Sequence, residues 1–164
     1  MTIQFRWGNK RDLPRVLEIE KDVFEFPFDE ADFLRVLRKR NTVLTVAIDG
    51  SERLCGYALY AIFEARFHIL NIAVDPHYQR RGVGAAMIDT LKDKLSANRR
   101  KRITAEVRES NVDAQLFFKA TGFRAVTILR DFYDETDDDA YVMQYRLPVE
   151  SPVPDGRINC GGGR

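Results

Sequence analysis

The sequence predicts a mixed α/β domain: one sheet covered by helices. Three observations carry this. Two long stretches, "RLCGYALYAIFE" and "RFHILNIAV", are apolar on both faces, as central strands buried from each side are. Segments of helical period alternate with extended ones along the whole chain. The 164 residues, 45% hydrophobic and 31% charged, suit one domain with a sizeable core.

The elements follow in order. "TIQFRW" places Ile3, Phe5 and Trp7 on one side of a short strand. "LPRVLEIEKDVF" sets Leu13, Val16, Leu17 and Glu20 at helical spacing, with Asp12 as N-cap and Pro14 in the first turn. Pro27 interrupts "EFPFDEADF", and Asp29 caps a second helix that turns Phe33, Leu34 and Leu37 inward. "TVLTVAI" is a strand closed by the hairpin signal Asp49-Gly50. After the two central strands, "GVGAAMIDTLKDKLSA" is an amphipathic helix, with Val83, Met87, Leu91 and Leu95 inward and Lys94 snorkelling. "KRITAEV" is a strand. "SNVDAQLFFKATGF" is a helix opened by Ser110 or Asn111, with Asp113 at capping-box distance from Ser110 and Gly122 as its stop. "RAVTILRDFY" and "AYVMQYRL" are two more strands around the acidic loop "DETDDD". Residues 1–147 make the domain. Residues 148–164, rich in Pro and Gly, are expected to be disordered or loosely docked.

Composition excludes several function classes. The formal net charge of +1 gives no global field for nucleic acid or membrane. No apolar run is long enough to span a bilayer, and "MTIQFRWGNK" lacks the apolar core of a secretory signal. Cys55 and Cys160 lie far apart, and His68 and His77 have no ligand-spaced partner. The expectation is a cytoplasmic protein with neither a disulfide framework nor a metal site.

The chemistry-bearing stretch is "VDPHYQRRGVGAAM". A strand ends at Val74, Asp75-Pro76 turns the chain, and a helix starts directly after Gly82-Val83-Gly84. The first turn of a helix has N–H groups without intrahelical partners and the positive end of the macrodipole. Gly82 and Gly84 let an anion approach the backbone, and Arg80 and Arg81 add charge. A pyrophosphate suits such a nest; a tight turn with two solvated arginines is the plain alternative. The loop lacks the Gly-Lys-Ser/Thr of a P-loop and the glycine spacing of a dinucleotide fingerprint.

With these residues in view, the chain resembles the GNAT superfamily of N-acetyltransferases. "VFEFPFDEADF", "LNIAVDPHYQRRGVG", "AEVRESNVDA", "ATGF" and "RDFYDETDDDAYVM" are similar, in this order, to the bacterial ribosomal-protein alanine N-acetyltransferases. The likeness covers about residues 2 to 147. It implies a mixed, mostly antiparallel single sheet with a splayed central parallel strand pair, flanked by about four helices. It also implies acetyl-CoA as cosubstrate. Ile72, Ala73 and Val74 would offer backbone groups to the pantetheine arm. Arg80, Arg81, Gly82, Val83, Gly84 and Ala85 would surround the pyrophosphate. Asn111 matches the family asparagine that contacts the arm, although Asn is equally a favoured N-cap.

Attack of an amine on a thioester needs a proton acceptor. Glu106 is a carboxylate with apolar neighbours in a mostly apolar strand, costly there unless paired or functional. Burial is expected to raise its pKa toward a useful range, and a matching glutamate in the resembling family makes it the general base. The plain alternative is an ion pair with Arg66 or Arg108. The backbone N–H of Val74 is the natural donor to the developing oxyanion. One position departs from the family: where it usually has a tyrosine that protonates the leaving thiolate, "LFFKATGF" has Phe118, which has no proton to give. Tyr133 and Tyr141 substitute only if the fold brings them close.

Acceptor choice falls to two loops. Phe26 and Phe28, with Phe24 and Pro27, are expected to wall a small first residue, unless they simply pack in the core. Tyr133 matches a family tyrosine near the substrate amine. The run Asp134, Glu135, Asp137, Asp138 and Asp139 is either a solvated loop or an attractor for a cationic N-terminus. "NRRKR", Asn98 to Arg102, reads as a solvated helix end and gives no aromatic interleaving for nucleic acid. The expected partner is therefore a protein N-terminus or a small amine, with no nucleic acid or membrane, on a monomer or homodimer. The leading function is acetylation of a protein N-terminal α-amine with Glu106 as base. Acetylation of a small-molecule amine, and acetyl-CoA binding without turnover, stand as alternatives.

Overall fold

A computed structural model describes residues 2–148 of the chain. Seven strands form one sheet in the order β1-β2-β3-β4-β5-β7-β6. They are β1 (Gln4–Trp7), β2 (Thr42–Ile48), β3 (Leu54–Ile62), β4 (Arg66–Val74), β5 (Arg102–Arg108), β6 (Arg124–Leu129) and β7 (Ala140–Arg146). Only β4 and β5 pair in parallel; every other neighbouring pair is antiparallel. Four helices cover the sheet: α1 (Leu13–Val23), α2 (Glu30–Leu37), α3 (Val83–Lys92) and α4 (Val112–Ala120). The expected element order and the mixed, mostly antiparallel sheet with its parallel pair are what the structure has.

The two faces of the sheet carry separate cores. On one, Val16 and Ile19 of α1 and Phe33 of α2 pack on Leu44, Val46, Tyr57 and Leu59. On the other, Ile88 and Leu91 of α3 and Phe118 of α4 pack on Tyr60, Phe67, Ile69, Ile103 and Met143. β3 is buried along nearly its whole length because it contributes to both.

Local signals mostly act where expected. Asp29 caps α2 in a reciprocal box with Asp32, each side chain accepting the other's N–H at 2.8 and 3.0 Å. Gly122, at φ +94°, closes α4 with the paired bonds Phe123 N–H to Phe118 O and Gly122 N–H to Lys119 O.

Four expectations are corrected. Asp12 precedes α1 without capping it, because its carboxylate is taken by Arg6 and by the Asn9 N–H. Of the two caps expected for α4 Asn111 is the one used, accepting from Ala114 N–H at 3.1 Å, and the Ser110–Asp113 capping box is the part corrected, because the Ser110 hydroxyl turns to Asp138 instead. The β2–β3 hairpin is longer than a two-residue Asp-Gly turn. Asp49 accepts from the N–H groups of Ser51 and Arg53, and Glu52 takes the left-handed conformation at φ +62°. Trp7 is exposed rather than inward, since β1 is an edge strand; Ile3 and Phe5 alone pack against the core. Of residues 148–164, all but Pro148 lie outside the described residues, and with them the expected disorder of that segment.

Candidate active site

The parallel pair forks. Its pairing runs from Arg66–Arg102 to Ile69–Ala105 and stops there. The β3–β4 register passes from Tyr60–Ile69 to Leu59–Asn71, so Leu70 is an extra residue in β4. Such a bulge bends its strand. β4 then continues to Val74 beside β3, while β5 stays with β7 up to Arg108–Ala140. Beyond Ala105 the facing edges of β4 and β5 are therefore unpaired. The Asp75 N–H donates to Cys55 O at 2.8 Å. By the alternation of an antiparallel ladder, the peptide groups of Ile72 and Val74 face the fork and those of Ala73 face β3.

At the mouth of the fork the turn is tied down on several sides. Asp75 caps the Pro76–Tyr78 turn through the His77 N–H and holds Arg15 of α1. Those contacts, burial opposing them, leave its carboxyl below the usual range. Gln79 donates to the Val74 carbonyl at 3.0 Å, and Tyr78 donates to Asp49 at 2.5 Å. Arg80 (φ +62°) and Gly82 (φ +82°) both take the left-handed conformation, which sets the chain into α3. The first turn of that helix is closed by Ala86 N–H to Gly82 O at 3.0 Å, so the N–H groups of Val83, Gly84 and Ala85 come before it. Gly84 is needed for packing: a Cβ there would lie 2.9 Å from the Phe117 ring of α4. Asn111 lies at the N-terminus of α4 with its side chain used as cap.

Glu106 is the first β5 residue beyond the paired stretch. Thr104, Glu106 and Arg108 share one face of β5, by strand alternation, with His68 of β4. Glu106 Oε2 lies 2.6 Å from His68 Nε2, and His68 Nδ1 lies 2.7 Å from Thr104 Oγ1. The partner of Glu106 is thus His68, not Arg66 or Arg108 as the plain alternative had it. The expectation of a raised pKa is also corrected. Burial pushes the Glu106 carboxyl up, but the His68 hydrogen bond and charge, with Arg66 behind them, outweigh it and hold the group below its ordinary value.

The two acceptor loops meet on this face. The Arg108 guanidinium lies 4.5 Å from the ring centroid of Phe26 and 3.8 Å from that of Tyr133. It also reaches Thr136 at 2.5 Å, Asp138 at 3.3 Å and Glu135 at 3.6 Å. Asp139 pairs with Arg130 at 2.8 Å. Three of the acidic run, Glu135, Asp138 and Asp139, are therefore paired with Arg108 and Arg130. Burial lifts the Tyr133 phenol above its ordinary value, with Arg108 opposing and Glu106 adding. Phe26 is exposed, whereas Phe28 packs edge-on against Phe33 at 5.7 Å and Phe24 borders the same core.

Phe118 is buried between Phe117 and Phe123. Tyr141, opposite Val107 on β7, borders that same apolar cluster. Tyr133 lies across the sheet, beside Arg108. Beneath the acceptor loops is a carboxyl that sequence spacing marked only as a helix-face residue. Glu20 of α1 accepts from Phe28 N–H at 2.9 Å, from Asn71 Nδ2 at 2.8 Å and from the Tyr57 hydroxyl. Burial raises it to about 7, the Phe28 and Asn71 donors opposing. Sequence reading also missed the roles of His68 and Arg108. The period-two spacing of Thr104, Glu106 and Arg108 was the available signal; nothing local pointed across to β4.

The sheet thus forks, with a turn of left-handed residues at its mouth and the Glu106 carboxylate at its first open position. Residues 13–123 match the acetyltransferase (GNAT) family. The ribosomal protein bS18-alanine N-acetyltransferase of Escherichia coli K12 is 33% identical over 140 residues, which cover 84% of this chain and 92% of that protein. The crystal structure of the S18-alanine enzyme from Escherichia coli superposes with a TM-score of 0.77 at 26% identity, covering 93% of this chain and 98% of that one. Arabidopsis thaliana NAA60 in complex with acetyl-CoA gives a TM-score of 0.78 at 26% identity, covering 89% and 100%. The chain belongs to the GNAT family and is an N-acetyltransferase. Among the described residues no helix is long and apolar enough to cross a membrane, and no group of three or more His, Cys, Asp or Glu is arranged to hold a metal ion.

Proposed function

We propose that this enzyme transfers the acetyl group of acetyl-CoA to the N-terminal α-amine of a protein. The observation that carries the reading is the placement of Glu106. It is an ionised carboxylate at the first open position of the fork, its side chain still 29% exposed, on the face where Phe26 and Tyr133 converge. The turn supports the cosubstrate. The early N–H groups of α3, the left-handed Gly82 and the side chains of Arg80 and Arg81 suit a pyrophosphate. The fork-facing peptide groups of Ile72 and Val74 suit the amides of a pantetheine arm, with Asn111 at the far side of the fork. The nitrogen lone pair of the acceptor forms the new C–N bond to the acetyl carbonyl carbon, and the C–S bond breaks. The Val74 N–H faces the side from which it would donate to the carbonyl oxygen. Glu106 takes the proton lost by the amine, directly or through a water. The electron pair leaves on the thiolate of coenzyme A. A thiol has a pKa of about 8.5, so solvent can protonate it without the hydroxyl that Phe118 lacks.

The reading of the acceptor is supported by the two loops, since Phe26 and Tyr133 offer an aromatic wall beside the base, with the Arg108 guanidinium against both rings. The E. coli relative is named for acetylating the alanine of a ribosomal protein, which agrees with an acceptor that begins with a small residue. The test is thiol release from acetyl-CoA with short peptides varied at the first residue, alongside small amines. Release with Ala- or Ser-starting peptides is expected, falling by about 10²–10⁴-fold in Glu106→Gln while acetyl-CoA binding by calorimetry is retained. Undiminished turnover in that variant removes Glu106 as base. Release with small amines alone removes the protein acceptor.

A further inference from the structure

The His68 side chain stands between the small Ala61 of β3 and Thr104 of β5, its register partners on either side. It is 12% exposed, and both ring nitrogens are engaged. A carboxylate only accepts, so the hydrogen between His68 and Glu106 sits on Nε2. In the neutral ring Nδ1 is then the acceptor, and the Thr104 hydroxyl is its donor. Thr104 is itself buried, with no room to exchange this contact for bulk water. The three groups form one chain, Thr104 to His68 to Glu106, across the last paired rungs of the β4–β5 ladder. Other charged or titratable groups face Glu106 as well: Arg66 from β4, Arg108 two residues on along β5, and Tyr133 from the β6–β7 loop. β7 presents the neutral Val142 opposite it. Of these, His68 gives the carboxylate its side-chain hydrogen bond.

The geometry points to His68 as the positioning residue of the base: held from behind by Thr104, its Nε2–H aims the Glu106 carboxylate into the fork. The inference rests on the reading of Glu106 as base. Its physical content is an opposition. Burial alone drives a carboxyl toward its neutral form, and a neutral Glu106 accepts no proton from an amine. The donated Nε2 hydrogen reverses that preference and fixes the rotamer. Nothing in the sequence around Glu106 supplies this donor, because it comes from the neighbouring strand.

The experiment is a carbon-detected titration of protein labelled with ¹³C-carboxyl glutamate, the Glu106 signal being assigned by its loss in Glu106→Gln. Steady-state kinetics with one Ala-starting peptide run alongside. In His68→Leu the Glu106 midpoint is expected to move upward, and kcat to fall about 10- to 100-fold, as misplacing a reacting group does, while KM for acetyl-CoA holds. His68→Gln, whose amide still donates, is expected to keep the midpoint low and recover most of kcat. Thr104→Val is expected to shift both in the same direction as His68→Leu, by less. A midpoint that stays put in His68→Leu, or a His68→Gln variant as impaired as His68→Leu, overturns the assignment and leaves His68 a packing residue. The midpoint is read without turnover, so it separates this result from failure of Glu106 as base, which the kinetics of Glu106→Gln reports.

Discussion

The guanidinium carbon of Arg108 lies 3.8 Å from the ring centroid of Tyr133, and Phe26 approaches the same group at 4.5 Å. One cation thus joins two loops that are more than a hundred residues apart in sequence, beside the candidate base. Each cation–π contact is worth about 0.5–2 kcal/mol, and the ion pairs to Asp138 and Glu135 hold the guanidinium in place. Arg108→Ala is therefore expected to let the loops part. KM for a peptide acceptor should rise about tenfold, equivalent to 1.4 kcal/mol, with KM for acetyl-CoA unchanged. Arg108→Lys is expected to fall between the wild type and Arg108→Ala, because an ammonium keeps a cation–π contact but neither stacks on the rings nor forks to Thr136 and Asp138. An unaltered peptide KM in both variants would show that the loops do not wall the acceptor.

Glu20 predicts how stability depends on pH. Burial raises its carboxyl from the ordinary 4.5 to about 7 in the folded protein. The folded state keeps the proton over a range in which the unfolded chain has released it. Stability therefore falls as pH rises from about 4.5 to about 7 and levels off above, by about 3 kcal/mol from this group. Asp12, Asp75 and Asp138, which are lowered, act in the opposite direction, and only below the ordinary carboxylate range. Urea unfolding at pH 5 and pH 8 measures the difference, and Glu20→Gln is expected to flatten it. A slope that survives in Glu20→Gln would assign the effect to another group.

Phe118 tests whether the missing hydroxyl matters. The ring is 4% exposed among Phe117, Phe123 and the β5 core. A tyrosine hydroxyl added there without a partner costs about 1–3 kcal/mol. Phe118→Tyr is expected to lower the unfolding temperature and to leave kcat within about twofold, since a thiolate near pKa 8.5 leaves unaided. A tenfold faster variant would show that the hydroxyl reaches the fork and that the wild-type reaction is limited by its absence.

What the sequence by itself determined is what short-range chemistry can specify. Period-two and period-3.6 patterns placed all seven strands and four helices, because they report which face of each element is buried. Asp29, Gly82 and Gly122 act on their own backbone and so were legible in place, whereas Gly84 makes room for the Phe117 ring of α4. Glu106 stood out because a carboxylate in a mostly apolar strand is anomalous wherever that strand goes. Its partner was decided only by the tertiary structure. His68 lies 38 residues away, and it meets Glu106 because β4 and β5 pair in parallel at one register, which the Leu70 bulge then ends. The same holds for Arg108 between its two rings and for Glu20, whose three donors come from the following loop, β3 and β4. A side chain's ionisation follows from what surrounds it in space. For Glu106 burial alone pointed to a raised pKa, and a neighbouring strand reversed the sign.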